Sequence, residues 1–552
     1  MDSHLFSAVA LVYRRTTIIS RVLDFCRRKF GKKTAKTIQA TEQGSELDST
    51  VEHGQQNPNH DSVPRYRDHQ PRQHSKQFHD DATRRRPRPE RNATSRKGPK
   101  LNPQHQSAVL PPLTVLNRDQ HGVSRKDISP NALKVLYRLN DAGYEAYLVG
   151  GCIRDLLLGQ QPKDFDVVTN AHPDQVKQVF KNCRLIGRRF RLAHVVFGRE
   201  IIEVATFRGH HSGGEEDDNI PTGVRSDHGQ ILRDNVYGTI EEDAERRDFT
   251  INALYYSVND FAIYDFANGV QAIHDRKIEL IGDPETRYRE DPVRMLRAVR
   301  FATKLNMDIA PATAAPIAEL AVLLKNIPAP RLFDESLKLF MAGKAFDNFV
   351  LMHESGILKQ LLPQLHKVLK QDNEGKAFNM IASALQNTDQ RVAEDKPVTP
   401  AFIYAALLWY PVELRMQTLL VESGLNEIDA LNIAMTEVLD EVQRVIAIPK
   451  RFTMSIRDIW SLQTRLSKRA GRRAFKLMEL PKFRGAFDFL QQRSAAEGGA
   501  LSELAFWWQR FQAADEAGRE ELVASLGKEG VDSKPKRRRK PPMRRKPAPS
   551  AE

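Results

Sequence analysis

Two aspartates one residue apart, Asp164 and Asp166, follow an Arg154-Asp155 pair, which in turn follows Gly150-Gly151. On a strand, residues i and i+2 face the same side, so the two carboxylates would point together. Adjacent like charges are costly unless a cation lies between them, and paired carboxylates beside phosphate suit magnesium. Two glycines let the backbone approach a ligand closely, because no Cβ stands in the way. The stretch LVGGCIRDLLLGQQPKDFDVVT, Leu148 to Thr169, reads as strand, glycine turn, short helix, loop and strand. A helix from Ile153 to Leu158 would open its free N–H groups beside the glycines, an arrangement that receives phosphate oxygens. Gly-Gly alone is a common turn and Asp-x-Asp alone is commonly a solvated strand end. The specificity lies in their combination and order.

Two further runs add chemistry. A hydroxyl deprotonated beside two metal ions would be helped by a third carboxylate, and two are candidates: Glu203 in IIEVATF and Asp248 in ERRDFTINAL. For Glu203, a strand residue paired to a nearby arginine is an equal reading. Arg247 to Tyr256 reads as the start of a helix. Cations at a helix N-terminus oppose its dipole and call for an anion nearby. In REDPVRMLRAVRFATKL, Asp291 and Arg294 are i, i+3 and would share one face of a helix running from Pro284 through about Leu305. Such a pair can offer an acceptor and donors to a base edge; out of context, an intrahelical ion pair is the plainer reading. Met295, Val299 and Ala302 form an apolar stripe suited to a core.

In this order, GG-x-x-RD-x8-D-x-D resembles the nucleotidyltransferase superfamily, in the branch that holds bacterial poly(A) polymerases and CCA-adding enzymes. Arg246 to Ala253 is similar to that family's second signature, and Asp291 to Arg294 to its nucleotide-selecting EDxxR motif. The resemblance implies that Asp164 and Asp166 hold two Mg2+ ions and that Asp248 belongs to the catalytic set. It implies that Gly150, Gly151, Arg154 and Arg247 bind the triphosphate of ATP, and that Asp291 and Arg294 read adenine. Cys152 departs mildly, in a slot that often carries a small residue such as glycine. Leu185 to Gly198, LIGRRFRLAHVVFG, resembles poly(A) polymerases, where CCA-adding enzymes tend to carry a glycine-threonine-containing segment; Arg188, Arg189 and Arg191 suit phosphate contacts. The implied reaction is template-independent transfer of AMP from ATP to an RNA 3′-hydroxyl, with pyrophosphate released. A tRNA CCA-adding enzyme is the first alternative. A non-catalytic RNA-binding protein is the second, and intact Asp164, Asp166 and Asp248 argue against it. The resemblance is close from about Ser124 to Leu305 and looser beyond, where the Arg-rich segment 449–484 resembles the family's RNA-binding region. It covers neither the first hundred residues nor the basic tail.

These motifs need a scaffold of α/β plus all-α class: a small mixed-sheet nucleotidyltransferase head, then a helical neck and body. The expected divisions are a basic, mostly disordered extension (1–125), the head (126–283), a helical neck with nucleotide-selecting and RNA-binding residues (284–400), a helical Arg-rich domain (401–526) and a disordered basic tail (527–552). Order is expected to begin near Ser129, where Ser129-Pro130 offers a helix N-cap and N1 proline. A helix over about His172 to Lys181 and strands at Leu185–Gly187, Ala193–Phe197 and Ile201–Phe207 follow. Arg208 to Glu245 reads as a long loop, its run Glu215 to Asp218 as solvated acid. Phe261–Phe266 and Ile278–Ile281 read as a short hairpin. From Leu305 to about Leu526 the chain reads as helices broken at Pro328, Pro363, Pro397, Pro400, Pro411 and Gly424.

Composition sets the partners. The 552 residues carry a formal charge of +14 with a pI near 9.5, which calls for an anionic partner. The charge is concentrated: 12 Lys and Arg against 4 acids over residues 64–100, 11 against 2 over 450–484, and 9 against none over 534–546. Such local patches fit nucleic acid. The resemblance implies RNA 3′ ends and RNA-decay proteins as the partners. Residues 1–30 could form a basic amphipathic helix, with membrane-surface association as the lesser reading beside a dispensable extension. Three cysteines without CxxC spacing argue against zinc and disulfides and for a reducing cytoplasm. No apolar run reaches the roughly 18 residues of a membrane span. His60-Asp61, His79-Asp80 and His274-Asp275 could suggest a metal phosphohydrolase, but two of the pairs lie in the stretch read as disordered, which rejects that reading.

Overall fold

The computed structural model describes residues 110–187, 191–209 and 236–529. The expected N-terminal helix, Arg188 and Arg189, the acidic run Glu215 to Asp218 and the basic tail lie outside the described residues.

An eight-stranded sheet organises the head, in the order β1-β8-β7-β2-β3-β6-β5-β4. Its strands are β1 (Thr114–Leu116), β2 (Ala146–Val149), β3 (Asp166–Thr169), β4 (Cys183–Ile186), β5 (Leu192–Phe197), β6 (Glu200–Thr206), β7 (Leu254–Ser257) and β8 (Ile263–Asp265). Only β3 and β6 pair in parallel; the other neighbours are antiparallel. Helix α1 (Pro130–Asp141) begins as its sequence predicts: Ser129 Oγ accepts from the N–H groups of Asn131 and Ala132, with Pro130 in the first turn. Its apolar face, Ala132, Val135, Leu136 and Leu139, is buried. Helix α2 (Gly151–Leu157) joins β2 to the loop before β3, and α3 (Pro173–Val179) follows β3. The other face carries a cluster of Val149, Val168, Phe207, Ala244, Tyr255 and Phe266.

Five local expectations are corrected. Order begins before Ser129, because β1 pairs with β8 at the sheet edge; a three-residue strand is too short to show a period. No helix starts at Arg247. Helix α4 (Ile240–Arg246) ends there, one 3-10 turn follows (Thr250–Asn252), and Leu254–Ser257 is a central strand. Residues 240–246, expected in a loop, are helical through a Thr239–Glu242 capping box. The expected hairpin does not form. Asp265 accepts from the N–H groups of Ala267, Gly269 and Val270 and turns the chain into α5 (Gly269–His274), while β9 (Lys277–Ile278) pairs with β10 (Asp308–Ile309). The expected long helix is two, α6 (Pro284–Glu290) and α7 (Val293–Leu305), separated at Asp291-Pro292.

The remainder is helical. Pro411 lies inside the helix Pro400–Ser423 rather than ending it. A proline there forfeits one backbone bond, but ten other side chains of that helix are buried around it, and their packing overrides the break. The last core gathers Leu462, Leu466, Phe483, Phe487, Trp508 and Phe511. Among the described residues no helix is long and apolar enough to cross a membrane.

Candidate active site

The glycine turn is built as expected. Gly150 has φ 77° and ψ −124°, a conformation that favours glycine. A Cβ there would lie 3.3 Å from Arg247 Nη1, and one on Gly151 would lie 3.4 Å from Arg154 Nη2. Two arginines therefore flank the turn. Arg154 is buried and committed within the protein: Nε and Nη2 donate to Asp155 Oδ1 (2.8 and 2.6 Å) and Nη1 to Asn252 Oδ1 (2.6 Å).

Asp164 and Asp166 are exposed on either side of buried Phe165, the alternation of an extended segment, although only Asp166 belongs to β3. Asp166 stands opposite Val149 of β2 and beside Glu203 of β6. Although the residue is exposed overall, its carboxyl is crowded by protein, and this desolvation, then Glu203 and Asp164, pushes it up to about 6, while Arg247 opposes the shift. The site thus holds more negative charge than its own cations neutralise. Glu203 itself is half exposed and lies 3.3 Å from His194 Nε2 on β5, not beside an arginine.

Asp248 stands apart from this group. One oxygen accepts from Arg297 Nε at 2.6 Å, the other from Asn252 Nδ2 at 3.0 Å and from the Phe249 N–H at 2.8 Å. Arg297, Asn252 and the Phe249 N–H hold its pKa down against burial. The carboxylates that act electrostatically on Asp166 are Glu203 and Asp164.

Arg246 and Arg247 sit at the C-terminal end of α4, not at a helix start. Cations are favourable there, so the dipole argument for a bound anion does not apply. What fixes Arg247 is a buried network. Asp243 Oδ2 accepts from Arg247 Nε (3.1 Å) and Nη2 (3.0 Å) and from Tyr255 Oη (2.8 Å), and Oδ1 accepts from the Arg208 N–H (3.1 Å). Asp243 and Tyr255 were not foreseen; the i, i+4 spacing of Asp243 and Arg247 was the available signal.

Asp291 and Arg294 do not share a helical face. Asp291 is extended, with φ −144° and ψ 94°, because a residue before proline is pushed out of the helical region. Its Oδ2 accepts from Arg331 Nη2 at 2.7 Å. Arg294 is nearly buried, and its Nη1 donates to Glu290 Oε2 (3.0 Å) and the Arg287 carbonyl (2.7 Å). Arg331 lies 40 residues from Asp291, beyond any spacing rule. Arg191, singled out for phosphate, pairs with Asp174 on the surface.

No group of three or more His, Cys, Asp or Glu among the described residues is arranged to hold a metal by itself. Magnesium in phosphoryl-transfer sites is commonly held by one or two carboxylates plus substrate phosphates, and the surplus charge at Asp164 and Asp166 fits that need.

Comparison with known proteins narrows the class. Residues 146–279 match the family described as Poly A polymerase head domain, 306–369 that described as probable RNA and SrmB-binding site of polymerase A, and 423–545 that described as polymerase A arginine-rich C-terminus. The chain is 55% identical to Poly(A) polymerase I of Salmonella typhimurium over 80% of its own length and 94% of that protein's. It is 49% identical to the Haemophilus influenzae protein of the same name, over 79% and 96%. A CCA-adding enzyme of Lactobacillus helveticus is 38% identical over only 39% of this chain and 50% of its own. Among solved structures, the Bacillus stearothermophilus CCA-adding enzyme in complex with CTP is 24% identical, with a TM-score of 0.49 over 72% of this chain and 93% of that one. The near-full-length likeness lies with the first group, and the chain belongs to the poly(A) polymerase I family of nucleotidyltransferases.

Proposed function

We propose that this protein adds adenylate to RNA 3′ ends without a template, transferring AMP from ATP to the terminal 3′-hydroxyl and releasing pyrophosphate. The observation that carries the reading is the likeness to Poly(A) polymerase I relatives over 94% of their length. Phosphoryl transfer needs in-line positioning and charge neutralisation more than covalent help, and the crowded carboxylates around Asp166 call for a cation. Asp164 and Asp166 would hold Mg2+, with Glu203 as a third carboxylate at the rim. When bound, the metal supplies Lewis acidity toward the phosphates and lowers the pKa of the attacking hydroxyl.

The chain's own groups do the rest. The Gly150-Gly151 turn brings backbone close to the triphosphate, with Arg247 held beneath it and Arg154 bracing Asn252 beside it. Asp248 belongs to the catalytic set through the side chains it orients, Arg297 and Asn252. Asp291 accepts from the adenine N6 amino group, and Arg294 donates to a ring nitrogen. RNA backbone lies along the basic segments 450–484 and 534–546. RNA 3′ ends and RNA-decay proteins are the partners, and a reducing cytoplasm suits the unpaired, buried Cys152 and Cys183.

The competing reading is CCA addition, supported by the shorter likeness to CCA-adding enzymes. Cytosine offers an edge similar to adenine's, so Asp291 and Arg294 alone do not exclude CTP. The test supplies a tRNA lacking its 3′ end and an unstructured oligonucleotide, each with ATP or CTP. Ladders of A on both RNAs support the proposal. C addition confined to the tRNA, stopping after a fixed trinucleotide, overturns it.

A further inference from the structure

Helix α7 carries a cationic row of which the site described above uses only Arg297. Arg297, Arg300 and Lys304 follow at i, i+3 and i+7, so they lie along one helical face. Phe301 is ringed by guanidinium groups: the Cζ atoms of Arg154, Arg297 and Arg300 lie 5.2, 5.5 and 4.5 Å from its ring centre. The nearby acids are already engaged. Asp248 holds Arg297, and Asp155 Oδ1 holds Arg154 at 2.6 Å, leaving Asp155 Oδ2 a loose 3.6 Å contact with Lys304. Glu335 approaches from the helix Ala329–Phe340 and is paired with Lys338 at 2.8 Å.

The guanidinium of Arg300 has neither a hydrogen bond nor an ion pair among the described residues, and its Nε is buried without an acceptor. Its pKa is lowered by burial and by the like charges of Arg297 and Arg154; that of Lys304 is lowered by burial, Arg154 and Arg300, against the pull of Asp155. Four cations therefore face three carboxylates, Asp248, Asp155 and Glu335, each already paired. A half-buried guanidinium without an acceptor is costly, and an anion accepting two parallel N–H bonds relieves that cost. Arg154 joins this cluster to the glycine turn, so any anion here sits beside the nucleotide cleft.

We propose that the α7 face formed by Arg300 and Lys304 is a phosphate-binding site continuous with the active-site cleft, taking either the terminal phosphates of the nucleoside triphosphate or backbone phosphates of the RNA primer. The inference rests on reading the cleft as a nucleotidyltransfer site. Guanidinium and phosphate match in bidentate geometry. Lys304, nearly half exposed, supplies the mobile point charge at the outer end.

The test uses the full chain with Arg300→Gln, Arg300→Lys, Lys304→Gln and the Gln double variant. Titration calorimetry measures the Kd for ATP with Mg2+ in the absence of RNA. Fluorescence anisotropy measures the Kd for a 3′-deoxy-terminated oligoadenylate at several salt concentrations. The double variant should weaken one of the two by about tenfold or more, with Arg300→Lys losing less. Loss on the ATP arm identifies the triphosphate. Loss on the RNA arm, with a salt slope lower by about 0.7 per cation removed, identifies the primer. Lys304→Gln, at an exposed position, should lose severalfold on the same arm and keeps the test valid where Arg300→Gln does not fold. Folded variants whose two affinities both stay within twofold of the unsubstituted chain overturn the proposal. An unsubstituted protein that binds ATP yet adds no AMP would sink the functional reading and leave this site standing.

Discussion

Asp243→Asn asks whether Arg247 is held for chemistry or only for packing. Asp243 Oδ2 takes two bonds from Arg247 and one from Tyr255. An amide keeps the shape and one acceptor but no charge, so the guanidinium loses its counterion. Removing one partner of a buried ion pair costs about 3–5 kcal/mol. Arg247 is 23% exposed and Asp243 8%, so the lower end applies, about 3 kcal/mol, shared between folding and site geometry. Carried wholly by folding, that lowers the apparent melting temperature by about 6–12 °C. Carried by geometry, it lets Arg247 swing from beneath Gly150, and a displacement of about 1 Å costs about a hundredfold in rate. The assay follows AMP addition to an oligonucleotide primer over an ATP titration, with primer affinity measured separately. The expected result is a raised KM for ATP and a kcat/KM lower by about a hundredfold, with primer affinity unchanged. Tyr255→Phe should show a smaller loss in the same direction, about 1–3 kcal/mol. An Asp243→Asn protein that melts lower yet keeps its ATP kinetics within threefold would refute the reasoning.

Four further outcomes are expected. Asp166→Ala or Asp164→Ala should abolish nucleotide addition while leaving RNA affinity nearly intact; a near-normal rate at saturating Mg2+ would count against their role. Arg294→Ala should narrow the preference for ATP over CTP along with the rate, since an unpaired polar edge is worth about 1–3 kcal/mol; an unchanged ratio would remove it from base reading. Deleting residues 534–546 should flatten the salt dependence of RNA binding, and an unaltered slope would deny the tail that part. Asp389 accepts from the N–H groups of Ala345 and Phe346, and burial pushes its carboxyl up to about 6. Because the folded form binds its proton more tightly than the unfolded one, stability should rise as pH falls through about 6 toward 4; Asp389→Asn should melt without that rise, and an unchanged profile would reassign it.

The strand–turn–helix–strand unit around Asp164 and Asp166 was legible because every signal in it is local: an apolar run, two glycines and an alternation of exposed and buried residues. The elements misread were those settled at long range. Tyr255 and Tyr256 look as helical as they look strand-like, and their burial in the middle of the sheet against β2 decides it. The three residues of β1 become a strand only because β8 lies beside them. Arginine roles were the least legible. Motif spacing finds Arg154, Arg247 and Arg294, and i, i+4 spacing offers Asp243 and Glu290 as partners for two of them, but nothing in spacing brings Asn252 to Arg154 or Tyr255 to Arg247.

The break at Asp291-Pro292 shows how much turns on one such detail. Pro292 lacks an N–H and forces Asp291 into an extended conformation, which directs its carboxylate to Arg331 on a different helix. The pair proposed to read the base is then held from two sides, Asp291 by Arg331 and Arg294 by Glu290. Glu290 Oε2 also accepts from Arg287 Nη1 at 2.8 Å. Arg287 Nη2 in turn donates to the carbonyls of Arg246 (2.9 Å) and Arg247 (2.6 Å), closing the C-terminal end of α4. The backbone that carries the guanidinium beneath the glycine turn and the guanidinium proposed to meet the base are therefore tied by one chain of partly buried bonds. Pro292 thus sets Asp291 against Arg331, while Glu290 and Arg287 tie Arg294 to the end of α4.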